Sequence, residues 1–194
     1  AVLAPHHLPA DMVADSTIAL GSVGEYQTPT GYFPGASPRQ DIMVPLQVSR
    51  TIYPDVNFEG RIRVDVSTSG EALGIPPEQG SYGLFFLRQQ GDRTLFSGVT
   101  PPEYFVPLDR NIALPRIPAT AAEDAVVSVL VSQIRDASTS VQVACLDFLW
   151  GLGECPKDPT PIRNLSLSPD LALRSRAVGI LLECHLPIDA SKVL

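Results

Sequence analysis

Apolar residues recur at every second position in the first part of this chain and at every third or fourth position after Ala119. The clearest alternation is Ile42, Val44, Leu46 and Val48 set against Met43, Pro45, Gln47 and Ser49. A period of two puts the first set on one face of a strand, toward a core. Pro45 removes a ladder donor, so an edge or a bulge is expected there. Arg61 to Thr68 repeats the pattern, with Ile62, Val64 and Val66 pointing one way and Arg61, Arg63 and Asp65 the other. Asn57 to Gly60 reads as the turn between these two strands. Ser16 to Tyr26 predicts an earlier strand whose Gly21 and Gly24 mark a bulge or a close backbone approach. Tyr82 to Leu87 is a continuous apolar run, as in a strand covered on both faces. Gln89-Gln90-Gly91-Asp92 turns the chain, Thr94 to Val99 returns as a hairpin partner, and Tyr104 to Leu108 adds a short final strand. Long Gly- and Pro-rich loops fill 27–40 and 70–80.

Beyond Pro115 and Pro118 the period changes. Thr120-Ala121-Ala122-Glu123 fits a capping box, followed at helical spacing by Val126, Leu130, Ile134 and Ala137. Asp136 to Ser140 predicts a turn. Val141, Ala144, Cys145, Phe148, Leu149 and Leu152 form the stripe of a second helix, which Gly151 and Gly153 can end. Ile162 to Leu167 predicts one or two helical turns. Ser168-Pro169-Asp170 predicts a helix start with Ser168 as cap and Pro169 at the first helical position. Leu173, Ala177, Ile180, Leu181 and Cys184 then make a buried face.

The expected fold is α+β in two units. An N-terminal arm covers 1–12, an antiparallel β-barrel or sandwich covers 13–118, and an α-helical unit covers 119–194. In the β half, the run from Ala14 to Val23, the Gly60 before Ile62-Arg63-Val64, and the run from Gly80 to Leu87 resemble a netrin-like, OB-type barrel over residues 14–106. That resemblance implies an exported barrel; the family's usual cysteines do not occur in this half. In the helical half, Val141, Cys145, Phe148, Leu149 and Leu152 overlay Leu173, Ala177, Ile180, Leu181 and Cys184 at a constant offset. This resembles a HEAT-like repeat over residues 121–185, in which neighbouring units must stack to cover their apolar faces. Asp189-Ala190-Ser191 fits the cap of a further helix, so the native chain is expected either to continue beyond Leu194 or to close its stack there.

Composition narrows the function. The 194 residues are 44% hydrophobic and 18% charged, which is enough for a packed core. A net charge of −7 and two lysines, Lys157 and Lys192, argue against a nucleic-acid partner. Arg61 and Arg63 are too few for a polyanion groove. No stretch approaches the roughly 20 apolar residues of a membrane span. A start at Ala1 fits a removed signal peptide and equally a trimmed chain; export is the expectation. Of the three cysteines, Cys145 falls on a buried stripe and reads as an inert thiol. Cys155 and Cys184 can meet in a disulfide if their helices stack side by side.

No catalytic, cofactor or metal site is assigned. His6-His7 with Asp11 reads as a solvated group on the arm, and His185 as a residue suited to a helix C-terminus. Glu123-Asp124 reads as complementing a helix dipole, and Gly21-Ser22-Val23-Gly24 lacks the lysine and helix of a phosphate loop. Trp150 reads as partly buried packing. The expected function is a non-catalytic, exported binding or scaffold protein whose partner is a protein. It acts through the loops at 27–40 and 70–80, an exposed helix face, or an apolar groove between the units. The alternative is a hydrolase-type enzyme or inhibitor-like module built on the β-half loops, with Asp41, Asp65, Asp109 and Arg110 as the residues to inspect. A third reading is a structural part of a longer chain or of an envelope assembly.

Overall fold

The structure, a computed structural model, describes residues 13, 16–27, 42–54, 59–66, 68–69, 72–73, 75–98, 103–114 and 121–188. It has two compact units, one within residues 11–107 and one from residue 108 onward.

Among its described residues the first unit carries eight strands: β1 (Thr17–Val23), β2 (Met43–Tyr53), β3 (Gly60–Asp65), β4 (Thr68–Ser69), β5 (Ala72–Leu73), β6 (Tyr82–Gln90), β7 (Arg93–Phe96) and β8 (Phe105–Pro107). Five of them close a barrel in the order β1-β2-β3-β7-β6 and back to β1. All contacts around it are antiparallel except β3 with β7, which run parallel through Asp65 and Leu95. One side of β6 serves β1. Its other side is shared, by β8 against Gly83–Phe85 and by β7 against Leu87–Gln90. The small β4–β5 hairpin lies where an unstructured loop at 70–80 was expected to begin.

The alternation in β2 reads out as expected. Ile42, Val44, Leu46 and Val48 are buried, while Met43, Gln47 and Ser49 face solvent. These residues join Ala19, Val23, Val64, Phe85, Leu87, Phe96 and Tyr104 in one core. Ring stacking tightens its end: Phe85 lies 4.7 Å from Phe105 and Phe96 lies 4.5 Å from Tyr104 between centroids. The Tyr104 hydroxyl donates to the Ile75 carbonyl, so the buried phenol is satisfied. The apolar run in β6 is buried on both faces. Phe85 and Leu87 point into the core, and Leu84 and Phe86, paired with Leu20 and Ile18, are buried on the outward face.

Two irregularities shape the barrel. The β1–β2 register steps past Ile52 and Ser49, so the extra residues sit on β2 rather than on the glycine-bearing β1. Such bulges raise local twist and help a long strand wrap. The glycines have a different task. Gly21 and Gly83 face each other across β1 and β6; a Cβ on Gly21 would lie 2.6 Å from the Gln47 carbonyl oxygen, and one on Gly83 would lie 2.0 Å from that of Val106. Pro45 needs no bulge. It pairs with Arg63 in an unbroken β2–β3 register, and the β1 ladder ends one residue before it, at Val23 and Leu46.

The alternation fails at the end of β3. Asp65, expected on the solvent face with Arg61 and Arg63, is buried between Val64 and Val66. The reason is its ion pair: Arg93 Nε of β7 donates to Asp65 Oδ2 at 2.6 Å where the two strands meet. The β6–β7 hairpin turns on Gly91 and Asp92, with Gly91 at a φ of 63°, the positive range that a two-residue turn requires.

Among its described residues the second unit contains four helices: α1 (Ala122–Asp136), α2 (Thr139–Leu152), α3 (Thr160–Leu165) and α4 (Leu171–Glu183). α1 packs on α2, α3 on α4, α1 on α3 and α2 on α4. Val126, Leu130, Ile134, Cys145, Phe148, Leu149, Leu152, Leu173, Ala177, Ile180 and Leu181 are buried, as their spacing predicts, and Ile162 of α3 is buried as well; Ala137, Val141, Ala144 and Cys184, expected on the same faces, are half-buried. Trp150 is half-buried against Gly179, where a Cβ would come within 2.9 Å of the indole ring. Arg176 of α4 reaches across to the Asp147 carboxylate of α2.

Two helix starts differ from expectation. α1 begins one residue later than the Thr120 box implies: its N-cap is Ala121, and no side chain caps it. α4 is capped by Asp170 rather than Ser168, with Oδ1 accepting from the Ala172 and Leu173 N–H groups at 2.8 and 3.1 Å. Pro169 therefore lies outside the helix, and Ser168 Oγ accepts from the Asp170 N–H instead. α4 ends in a Schellman motif. His185 takes a φ of 53° and its N–H bonds the Leu182 carbonyl, while the Leu186 N–H reaches back to Leu181.

Candidate functional site

A groove runs along the exposed side of α1 in the helical unit. One wall is the α1 surface carrying Val127, Ser128, Val131 and Ser132; the other is the segment from Glu154 to Asp158. Its volume is about 330 Å³, at the lower end of the range usual for ligand pockets. The α1 wall is shallow for a reason readable in its residues. Ala125, Val126, Val129 and Leu130 turn inward, which leaves the small Val and Ser side chains outward.

The second wall is held at four points. Gly153 ends α2 in the left-handed conformation, with a φ of 70°, and turns the chain back. Cys155 is bonded to Cys184 at the end of α4, with their Cα atoms 5.7 Å apart. Pro156 is buried, and Asp158 accepts from the Thr160 N–H at the start of α3 at 3.0 Å. The disulfide thus fastens this wall to the end of α4.

Charge rings the groove. Lys157 Nζ lies 3.2 Å from Asp124 Oδ1 and Arg135 Nη2 lies 3.6 Å from Asp158 Oδ2. Both pairs join the walls and both are largely exposed, so each contributes little to stability and is readily screened. Glu123 and Glu154 complete the rim. Asp158 is held below the ordinary carboxylate range by the Thr160 hydroxyl and N–H, with a smaller contribution from the Arg135 and Arg163 guanidinium groups.

The residues singled out for inspection fall in both units, Asp65 in the barrel and Asp109 and Arg110 in the helical unit. Asp65 is committed to Arg93, and its other oxygen, Oδ1, is buried without a hydrogen-bond partner. Asp109 lies in the other unit, where its carboxylate accepts from the Asn111 N–H at 2.9 Å and its own N–H donates to Gln133 Oε1 at 2.8 Å. Arg110 is exposed beside it. Asp41, the loop from 28 to 40, His6, His7 and Asp11 lie outside the described residues. Arg61 and Arg63 flank a shallow surface pocket with Pro45 on the barrel exterior. Cys145 is fully buried, and burial pushes its thiol up to about 12, which leaves it neutral and unreactive. Among the described residues, no group of three His, Cys, Asp or Glu side chains is placed to hold a metal ion. Likewise, no described helix is long and apolar enough to cross a membrane.

Gln133 and the groove itself escape sequence reasoning. Gln133 is a fully buried amide on the apolar face of α1, satisfied by the main chain of Asp109. Its one signal is a polar residue at a core position of the helical stripe. The groove depends on contacts between residues 124 and 157 and between 135 and 158, which no local pattern encodes.

The chain matches no family model, no curated protein and no solved structure in the comparisons made.

Proposed function

We propose that this chain is an exported, non-catalytic binding or scaffold module that engages a protein partner through the α1 groove. The observation that carries the reading is the groove's make-up: an apolar and hydroxylic floor, a rim of mixed charge, and a wall fixed by a disulfide. Such a surface suits complementary contact rather than proton transfer or nucleophilic attack, which need a base and a nucleophile in mutual reach. The disulfide also supports export, since such bonds persist chiefly in oxidising compartments.

Finer features of the fold support the same reading. β6-β1-β2-β3 is a Greek-key order, three consecutive strands with a fourth returning beside the first. Five strands in a Greek-key barrel support an OB-type reading, an architecture used for binding. In the helical unit, α1–α2 and α3–α4 pack as two neighbouring pairs, with α1 against α3 and α2 against α4. That arrangement supports a HEAT-like stack, which presents helix faces to partners.

The test is partner capture from the extracellular fraction of the source organism. The wild-type chain and an Arg61→Glu barrel variant are expected to retain the same protein, and Ser128→Trp, which fills the groove, is expected to lose it. Equal retention by all three, with each variant folded by circular dichroism, overturns the proposal.

A further inference from the structure

The two bridging ion pairs leave an imbalance at the groove. Of its four rim carboxylates, Asp124 and Asp158 face Lys157 and Arg135, whereas Glu123 and Glu154 make no ion pair or hydrogen bond among the described residues. Both glutamates lie within reach of solvent, Glu154 being exposed and Glu123 half-buried. We infer that this groove receives an extended polypeptide segment carrying basic side chains around a small apolar centre. The inference rests on the binding role proposed above and adds the chemistry of the ligand.

Length and charge both point this way. From Asp124 to Arg135 the α1 wall runs eleven residues, about 16 Å at 1.5 Å per residue. An extended strand covers that distance with about five residues at 3.3 Å each. Alternate side chains of such a strand face one way, so a central Val or Ala can rest on Val127 and Val131 while the flanking residues reach the rim. A cationic side chain there gains an unpaired carboxylate at no cost in broken pairs. It can also displace Lys157 or Arg135 from its carboxylate cheaply, because those pairs are exposed. An acidic segment can open the same exposed pairs, but it then faces four rim carboxylates against two cations and is repelled overall. The net charge of −7 on the whole chain favours the approach of a cation further.

The probes are two end-capped pentapeptides, RVAVR and EVAVE, titrated into the full chain in about 50 mM salt, where screening is modest. Binding is read by fluorescence anisotropy and located by NMR shifts of the Val127 and Val131 methyls. RVAVR is expected to bind at least about tenfold tighter than EVAVE, a difference of about 1.4 kcal/mol. The Glu123→Gln/Glu154→Gln double variant is expected to weaken RVAVR about fivefold, while Arg61→Ala leaves it unchanged. Both substitutions in the double variant are conservative and at the surface, and its circular dichroism is expected to match the wild type. Four results overturn the inference: equal affinity for the two peptides, tighter binding of EVAVE, no binding of RVAVR up to about 1 mM, or methyl shifts located away from the groove. So does sedimentation showing a second copy of the chain seated there. If Ser128→Trp still abolishes partner capture while the peptide preference is absent, only the ligand class falls and the binding role stands.

Discussion

The barrel and the helical unit solve the same problem, a buried apolar face, by different means. The barrel closes on itself: every strand from β1 to β7 in its ring has two partners, and its order is enforced by the ladder. Its tight points are therefore backbone against backbone, as at Gly21 and Gly83. The helices close nothing. Their stack is tied by side chains, the Cys155–Cys184 bond, the Asp147–Arg176 pair and the fit of Trp150 over Gly179. Backbone ties resist substitution and leave little room for a site. Side-chain ties are adjustable, and it is in the helical unit that the charge-ringed groove forms.

That contrast can be broken by placing the same methyl group in each unit. Gly83→Ala puts a Cβ 2.0 Å from the Val106 carbonyl oxygen, a backbone atom that cannot step aside without parting β8 from β6. A loss of about 4 kcal/mol or more is expected in urea unfolding, in the range reserved for severe overpacking and strain. Gly179→Ala meets the edge of the Trp150 ring at 2.9 Å instead. The indole can tilt, and alanine regains about 1 kcal/mol of helix propensity, so the net loss is expected to stay below about 1.5 kcal/mol. If the two variants lose equally, backbone and side-chain ties are not distinct in this protein.

Removing the disulfide sharpens the comparison from the other side. Cys155 and Cys184 close a loop with a sequence separation of 29, for which the chain-entropy relation gives about 3.5 kcal/mol. The double Cys155→Ser/Cys184→Ser variant is expected to lose roughly that amount, and the loss should be confined to the helical unit. Hydrogen exchange of α1 to α4 would accelerate, while that of β1 to β7 keeps its wild-type rates. Faster exchange throughout the barrel would show that the two units unfold as one.

Much of this contrast is legible in the sequence, and the illegible part has a common cause. Periods of two and of three to four residues are local, so they locate β2, β6, α1, α2 and α4 and their buried faces. Asp65 breaks the pattern because Arg93, its partner, lies 28 positions away on a strand running parallel to its own. Gln133 breaks it because the main chain of Asp109 satisfies its amide from outside the helix. Caps are local too, yet the starts of α1 and α4 each fall later than the best motif suggests. Asp170 rather than Ser168 is the cap because its ionised carboxylate accepts the Ala172 and Leu173 N–H groups in charge-assisted bonds stronger than a hydroxyl offers. The groove needs a cysteine pairing and two ion pairs between distant positions, so candidate residues chosen from local spacing, Asp65 and Asp109 among them, are not in its lining.

Asp158 offers the finest probe of how the groove wall is fastened. It is exposed at the surface, so its effect is expected to be smaller than those of the glycine and cysteine variants, and its value lies in its pH dependence. Thr160 and the nearby guanidinium groups lower its folded pKa beneath the unfolded value of about 3.9. An acid depressed in this way adds stability above the unfolded pKa and loses it as pH falls through the folded one. Asp158→Asn keeps an oxygen acceptor for the Thr160 N–H but removes the titration. The wild type should therefore melt slightly above the variant at pH 6, and the gap should shrink to nothing near pH 2. A gap of constant size across that range would mean that the Asp158 carboxylate does not contribute as an anion, and that Cys155 and Pro156 alone fix the wall.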